Sequence, residues 1–332
     1  MKKTVSCMLV FVMLLSLIIT GASCAEGRKL SVVTTIFPVY DWVREVAGNR
    51  DGVEITMLLD DGVDLHSYQP TATDLMKVAT CDLFVHVGGE SDEWVEDALA
   101  ESVNPDMKVV NLVEAMGDDI RMEEVVEGME HDREHDEDED EHEEDDDGHE
   151  HEEEADEHVW LSLRNARKLV GAIADALAEA DPANAESYRN NAAAYIDRLS
   201  DLDARYVAVR EAADFDTVLF GDRFPFRYLV DDYNLNYYAA FSGCSAESEA
   251  SFETVVFLAG KVDELGLTAV LTLEGGDHRI AETIVENTRA KNAKVLSLDS
   301  LQATTAEDVK NGVTYLDVME ANLETLRQAL TK

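Results

Sequence analysis

Four strings in this 332-residue sequence put nitrogen or carboxylate donors where β-rich runs end. His66 follows Asp60-Asp61-Gly62-Val63-Asp64-Leu65, and His158 precedes Val159-Trp160-Leu161-Ser162. Glu274-Gly275-Gly276-Asp277-His278 and Asp299-Ser300-Leu301 each follow a run of β-branched and aliphatic residues. Imidazole nitrogens joined by a carboxylate in a cleft suit Zn2+ first, and Mn2+ or iron second. Taken singly, each residue has a plainer use. A lone His at a strand end is commonly a hydrogen-bonded surface residue, Asp299 is a natural cap or turn residue, and His86 sits inside a strand-like run where packing suffices. Their coincidence at strand ends favours the joint reading as a metal site. A hydrolase would need an open coordination position and a general base in a substrate-sized pocket; no His-Glu-x-x-His string occurs and the one His-x-His, His149-Glu150-His151, lies inside the acidic tract, so no enzyme is expected.

The elements that must position these residues alternate. Runs at 30–36, 53–59, 82–87 and 108–112 read as strands, with helix-like stretches beginning near Pro38, Pro70 and Asp92. A second set at 217–220, 236–241, 269–273 and 294–298 is separated by helices at 225–232, 252–264 and 280–290, and 306–330 reads as a closing amphipathic stretch. This is βαβ rhythm, so the expected class is α/β: two lobes, each a mostly parallel sheet flanked by helices. Ligands of such sheets bind beyond the carboxyl ends of the strands, where the candidate donors lie. Between the lobes, Tyr188, Ala192, Tyr195, Leu199, Leu202, Tyr206 and Val209 recur at spacings of four and three, the stripe of a helix over 184–211 with Asp181-Pro182 as its start signal. At about 1.5 Å per residue it is roughly 40 Å long, a stiff spine that allows only slight rocking of the lobes.

Charge narrows the function. The chain has 71 acidic against 27 basic side chains, a net charge of -44, which repels phosphate and gathers cations; nucleic acid is excluded as a partner. Residues 130–158 hold 20 of the acidic side chains and six of the nine histidines, with no apolar period, and so read as a disordered loop. Lys2 and Lys3 before an uncharged apolar run, then Gly21-Ala22-Ser23-Cys24, read as an export signal with a lipobox-like end, although Gly21 stands where Leu or Val is usual. Cys24 is the expected lipidation site, and no later run reaches the length of a membrane span. Of the remaining body cysteines, Cys81 and Cys244, each is expected to be a buried free thiol.

The strings Gly62-Val63-Asp64-Leu65-His66-Ser67-Tyr68-Gln69-Pro70 and Asp156-Glu157-His158-Val159-Trp160-Leu161-Ser162, with Thr34-Thr35-Ile36-Phe37-Pro38 and Asp181-Pro182-Ala183-Asn184, resemble the zinc/manganese substrate-binding lipoproteins of bacterial metal ABC transporters, the cluster A-I family. The resemblance implies a C-clamp of two lobes on one long helix. It implies a metal receptor for an ABC permease and its ATPase, exported and either anchored at the outer face of the membrane or periplasmic, and acting as a monomer. It carries metal-ligand roles onto His66, His158 and Asp299. At the remaining ligand position it meets Arg223, which has no lone pair for a cation. His278 is the expected substitute, with Glu274 and Asp222 as alternatives and Glu247 or Cys244 behind them, while Arg223 is expected to pair with Glu274 or Glu249. The acidic loop, with His131, His135, His142, His149 and His151, goes with zinc members and is expected to act as an auxiliary metal collector. Zn2+ is thus the expected cargo, with Mn2+ or Fe2+ import, or metal buffering and cell-surface adhesion, as the alternatives. The expected boundaries are a signal over 1–24, a first lobe over 28–129, the acidic loop over 130–157, the end of the first lobe over 158–183, the spine over 184–212 and a second lobe over 213–332.

Overall fold

The computed structural model describes residues 28–48, 50–130, 154–245 and 249–332. The expected signal with Cys24, the loop histidines His131, His135, His142, His149 and His151, and Glu247 lie outside the described residues. The first sheet is built from β1 (Leu30–Thr34), β2 (Val53–Met57), β3 (Leu83–His86) and β4 (Lys108–Asn111), with α1 (Phe37–Ala47), α2 (Ala72–Thr80), α3 (Trp94–Ala100) and α4 (Leu112–Met116) in the connections. Its order is β2-β1-β3-β4 and every pairing is parallel. The chain then forms α5 (Leu163–Ala180) and the long α6 (Ala185–Glu211). The second sheet repeats the plan with β5 (Thr217–Phe224), α7 (Arg227–Asp232), β6 (Asn236–Ser242), α8 (Phe252–Leu265), β7 (Ala269–Leu273), α9 (Arg279–Asn287) and β8 (Lys294–Leu298), in the parallel order β6-β5-β7-β8. It closes with α10 (Ala306–Lys310) and α11 (Tyr315–Ala329).

Both sheets are covered on both faces, and their central strands carry the composition this requires: all four residues of β3 and all five of β7 are buried. In each sheet the strand order reverses beside the first strand, between β1 and β3 and between β5 and β7, so a crevice opens at the carboxyl ends there. The loop that follows β2 packs against the loop that follows β8, where the Ala306 amide donates to the Asp60 carbonyl at 2.7 Å. Gly62 turns that loop with φ +82°, a value that strains a side-chain-bearing residue, and a Cβ there would crowd the Ala303 carbonyl at 3.2 Å.

The spine α6 buries Tyr188, Ala192, Tyr195, Leu199, Leu202 and Tyr206, while Val209 is half-buried near its end. Its first half is tied to the first lobe through Asn191 Nδ2 to the Val46 carbonyl at 2.9 Å and Arg198 to Glu45 at 2.9 Å. Its second half is tied to the second lobe through Tyr206 OH to the Met319 carbonyl at 2.6 Å and Arg205 to Glu320 at 2.8 Å. One continuous hydrophobic core runs through both lobes along this helix. Among the described residues no helix is long and apolar enough to cross a membrane.

Three expectations about the elements change. The strand expected over 217–220 continues to Phe224, because a shift of register between Phe220 and Arg223 lets it keep pairing with β6 past Gly221. Arg223 is therefore on a strand and not in a loop. The stretch 306–330 is two helices, parted at Asn311-Gly312, where Gly312 has φ +95° and no side-chain-bearing residue would fit comfortably. The helix near Pro70 starts at Ala72, because Thr71 and Asp74 cap each other reciprocally.

Candidate metal centre

His66 and His158 are each held by a short structured turn. His66 lies in a 3-10 turn, Leu65–Ser67, whose start is capped by the Asp64 side chain accepting from the His66 amide at 3.0 Å. His158 precedes a second 3-10 turn, Val159–Leu161, whose three residues are all buried, so the Trp160 side chain anchors the segment; its Nε1 donates to the Ser300 carbonyl of the other lobe at 2.9 Å. Just before His158, Ala155 forms an isolated antiparallel bridge with Met122.

The two rings meet at Nε2···Nε2, 3.2 Å apart. Their other nitrogens are both engaged outward: His66 Nδ1 lies 2.8 Å from Ser91 Oγ, and His158 Nδ1 lies 2.9 Å from Asp156 Oδ1. Metal-bound imidazoles characteristically give the second nitrogen to such a partner, which orients the ring and fixes the tautomer. Two nitrogens on one tetrahedral Zn2+, each about 2.05 Å from the ion, are about 3.3 Å apart, so the observed spacing needs almost no adjustment.

Electrostatics separate the rings. Burial, followed by the charge of His158, lowers His66 to about 4, so it is neutral at physiological pH. His158 is completely buried, which opposes its charging, yet the Asp156 carboxylate overrides burial and holds the ring above the usual imidazole range. A cation between the two Nε2 atoms would be held by both rings at once.

Among the described residues, the His, Cys, Asp and Glu side chains that converge within metal-binding reach are His66, His158 and Cys244, with one donor atom of each within 4.8 Å of the others. The sequence ranks Cys244, with Glu247, behind His278, Glu274 and Asp222. Gly243 passes close to the imidazole beside Cys244: a Cβ there would lie 3.0 Å from both His158 Cε1 and the Phe224 carbonyl and would crowd them. Burial, then the neighbouring Glu123 carboxylate, which the sequence did not point to, pushes the Cys244 thiol well above its usual range.

The other sequence candidates are distributed around the second lobe's strand ends. Asp222 lies next to the β5 register shift, and its Oδ2 accepts from Thr272 Oγ1 at 2.7 Å and from the Leu273 amide at 3.0 Å. His278 occupies the N-cap of α9 with φ +55°, and its Nδ1 is 3.1 Å from Thr272 Oγ1. Both line a cavity of about 630 Å³ between the lobes, together with Asp64 and Arg223. Glu274 accepts from the Ser300 amide at 2.7 Å and hydroxyl at 2.6 Å, and Asp299 accepts from the Leu301 amide at 2.7 Å. Burial, then the neighbouring Glu274, raises Asp299 to about 6. The structure does not bring Asp299, His278, Glu274 or Asp222 into the His66–His158–Cys244 group. His86 is buried, stacked on Phe84 and 3.1 Å from Asp92, as its place within the strand implied. Cys81 and Cys244 are free, Cys81 buried and Cys244 partly so.

Arg223 corrects an expectation. It pairs with neither Glu274 nor Glu249; its Nη2 reaches Asp64 Oδ2 at 2.7 Å, across the cleft. The strand extension that carries it out of the loop also aims it at the first lobe.

Residues 32–329 match the family model described as "Zinc-uptake complex component A periplasmic". The chain is 32% identical over 304 residues to the zinc-binding protein AdcA of Streptococcus pyogenes, covering 91% of this chain and 56% of that protein, so it spans just over half the length of this relative. It is 28% identical to the high-affinity zinc uptake system protein ZnuA of Bacillus subtilis, covering 93% and 90% of the two chains. Among solved structures, the Zn(II)-bound ZnuA-like domain of Streptococcus pneumoniae AdcA superposes with a TM-score of 0.69 at 29% identity, over 92% of this chain and 100% of that one.

Proposed function

This chain belongs to the periplasmic zinc-uptake component A family, and we propose that it is an extracytoplasmic receptor, not an enzyme, that captures Zn2+ between its lobes and hands it to an ABC permease driven by its ATPase. The observation that carries the reading is the pair of Nε2 atoms 3.2 Å apart, each ring oriented by an outer partner on Nδ1. His66 and His158 are the imidazole donors. Asp299, with His278, Glu274 or Asp222, belongs to the second lobe's strand ends and would have to approach the pair by lobe movement to contribute. The relatives' printed names, zinc-binding and zinc-uptake proteins, support Zn2+ as the cargo over Mn2+. Export is by the amino-terminal signal, with Cys24 as the lipid anchor, and the net charge of -44 concentrates cations around the receptor.

The test is competitive calorimetry with Zn2+ and Mn2+ on the protein and on His66→Ala and His158→Ala. One tight Zn2+-preferring site, weakened at least a hundredfold by either substitution, supports the receptor. A site that prefers Mn2+, or tight Zn2+ binding that survives both substitutions, overturns it.

A further inference from the structure

We propose that Cys244 is a metal ligand, so that the cleft presents two imidazole nitrogens and one thiolate in place of an all-nitrogen-and-oxygen set. The inference rests on the receptor reading of the same cleft. It starts from a deficit: the strand position that faces the His66 loop from the second lobe is Arg223, whose guanidinium has no lone pair and is committed to Asp64. A two-histidine site is incomplete for Zn2+, which takes four ligands, or three with one position open. The second lobe supplies Cys244 instead, within 4.8 Å of the two imidazoles.

Three independent features converge on the thiol. Gly243 is shaped by its contact with the His158 ring, so the backbone before Cys244 is set against a candidate ligand. Cys244 lies just after the carboxyl end of β6, on the cleft side of the second sheet. The Glu123 carboxylate neighbours the Cys244 side chain, and its Oε1 is buried with no hydrogen-bond partner among the described residues, an oxygen that a cation beside Cys244 would satisfy. Tetrahedral Zn2+ with Zn–N about 2.05 Å and Zn–S about 2.3 Å needs N···S of about 3.6 Å, against donor separations of at most 4.8 Å here, so the thiol must close by no more than about 1.2 Å. Binding replaces the thiol proton, which leaves to solvent, and forms the Zn–S bond with no change of oxidation state.

A thiolate donor changes which cations compete. Soft sulfur favours Zn2+ and other thiophilic ions over Mn2+, which prefers carboxylate, carbonyl and water. Co2+ serves as the spectroscopic probe, because a Co–S bond produces an intense ligand-to-metal charge-transfer band in the near ultraviolet that nitrogen and oxygen donors do not. With the full chain under reducing conditions, the wild type should show this band at one equivalent of Co2+. Cys244→Ser should lose the band, bind Zn2+ at least tenfold more weakly and discriminate less against Mn2+. As a check that does not depend on a variant folding, residue-resolved alkylation of the wild type should find Cys244 protected by Zn2+ and released by a chelator. Tight Co2+ binding without the band, unchanged Zn2+ affinity in Cys244→Ser, or alkylation of Cys244 indifferent to Zn2+ overturns the assignment while leaving the receptor intact. Absence of tight binding of either ion by the wild type overturns the receptor reading itself, and this assignment with it.

Discussion

Arg223 Nη2 lies 2.7 Å from Asp64 Oδ2, so a strand of the second lobe is bonded to the residue that caps the His66 turn of the first. The pair is partly exposed, and an ion pair of that kind contributes little to global stability, typically below about 1 kcal/mol. Its consequence is positional. Asp64 holds the His66 turn, and Arg223 holds Asp64, so the cleft is latched from one wall to the donor on the other.

Arg223→Ala is accordingly expected to leave the melting temperature nearly unchanged while widening the cleft. Small-angle scattering of the metal-free protein should report a larger radius of gyration than the wild type. An unchanged profile would show that the spine alone sets the lobe spacing.

Gly243→Ala tests the close pass over His158. The added Cβ would meet the ring and the Phe224 carbonyl at 3.0 Å, and overpacking of this sort costs about 1–3 kcal/mol. The variant should melt lower and bind Zn2+ more weakly; wild-type affinity would mean that the turn moves aside without displacing the imidazole.

The pH dependence of stability has a definite sign at Asp232, which accepts from Ser162 Oγ at 2.6 Å and is raised to about 6 by burial. Its ordinary value is 3.8, so between about pH 4 and pH 6 the native state binds a proton that the unfolded chain does not, and stability falls as pH rises through that window. Asp232→Asn removes this penalty, which at neutral pH is at most about 3 kcal/mol, since each tenfold change in proton affinity corresponds to about 1.4 kcal/mol. The variant should melt higher at neutral pH and show a flatter profile down to about pH 5; Asp41, raised to about 6 by burial in the same way, keeps part of the slope. Parallel profiles in variant and wild type would contradict the account.

Leu199 is fully buried midway along the spine. Leu199→Ala should cost about 2–5 kcal/mol, read from denaturant unfolding, by the loss of buried surface and the cavity left behind. Zn2+ affinity at the cleft should be unchanged, because none of His66, His158 and Cys244 lies on the spine. A loss smaller than about 1 kcal/mol would indicate that the helix packs more loosely than its burial implies.

Much of this molecule is local and therefore legible. The spine stripe from Tyr188 to Tyr206 is helical periodicity read directly, and its six buried members are those the spacing assigned to one face. The strands were recognisable because a parallel sheet covered on both faces demands apolar runs such as Leu83-Phe84-Val85. Most of their ends varied by a residue or two and that of β5 by four, since the last residues of a strand are set by partners and not by their own side chains.

The pair of α/β lobes, the long helix between them and the loop imidazoles can be read along the chain, because periodicity and turn chemistry depend on neighbours in sequence. Which donors meet depends on how the lobes pack. Cys244 reaches His66 and His158 through a glycine turn fitted against a ring 85 residues away in the chain, and Arg223 reaches Asp64 because a register shift prolongs β5. Contacts of that kind arise from the packing of one lobe on the other, and no spacing within a single segment encodes them.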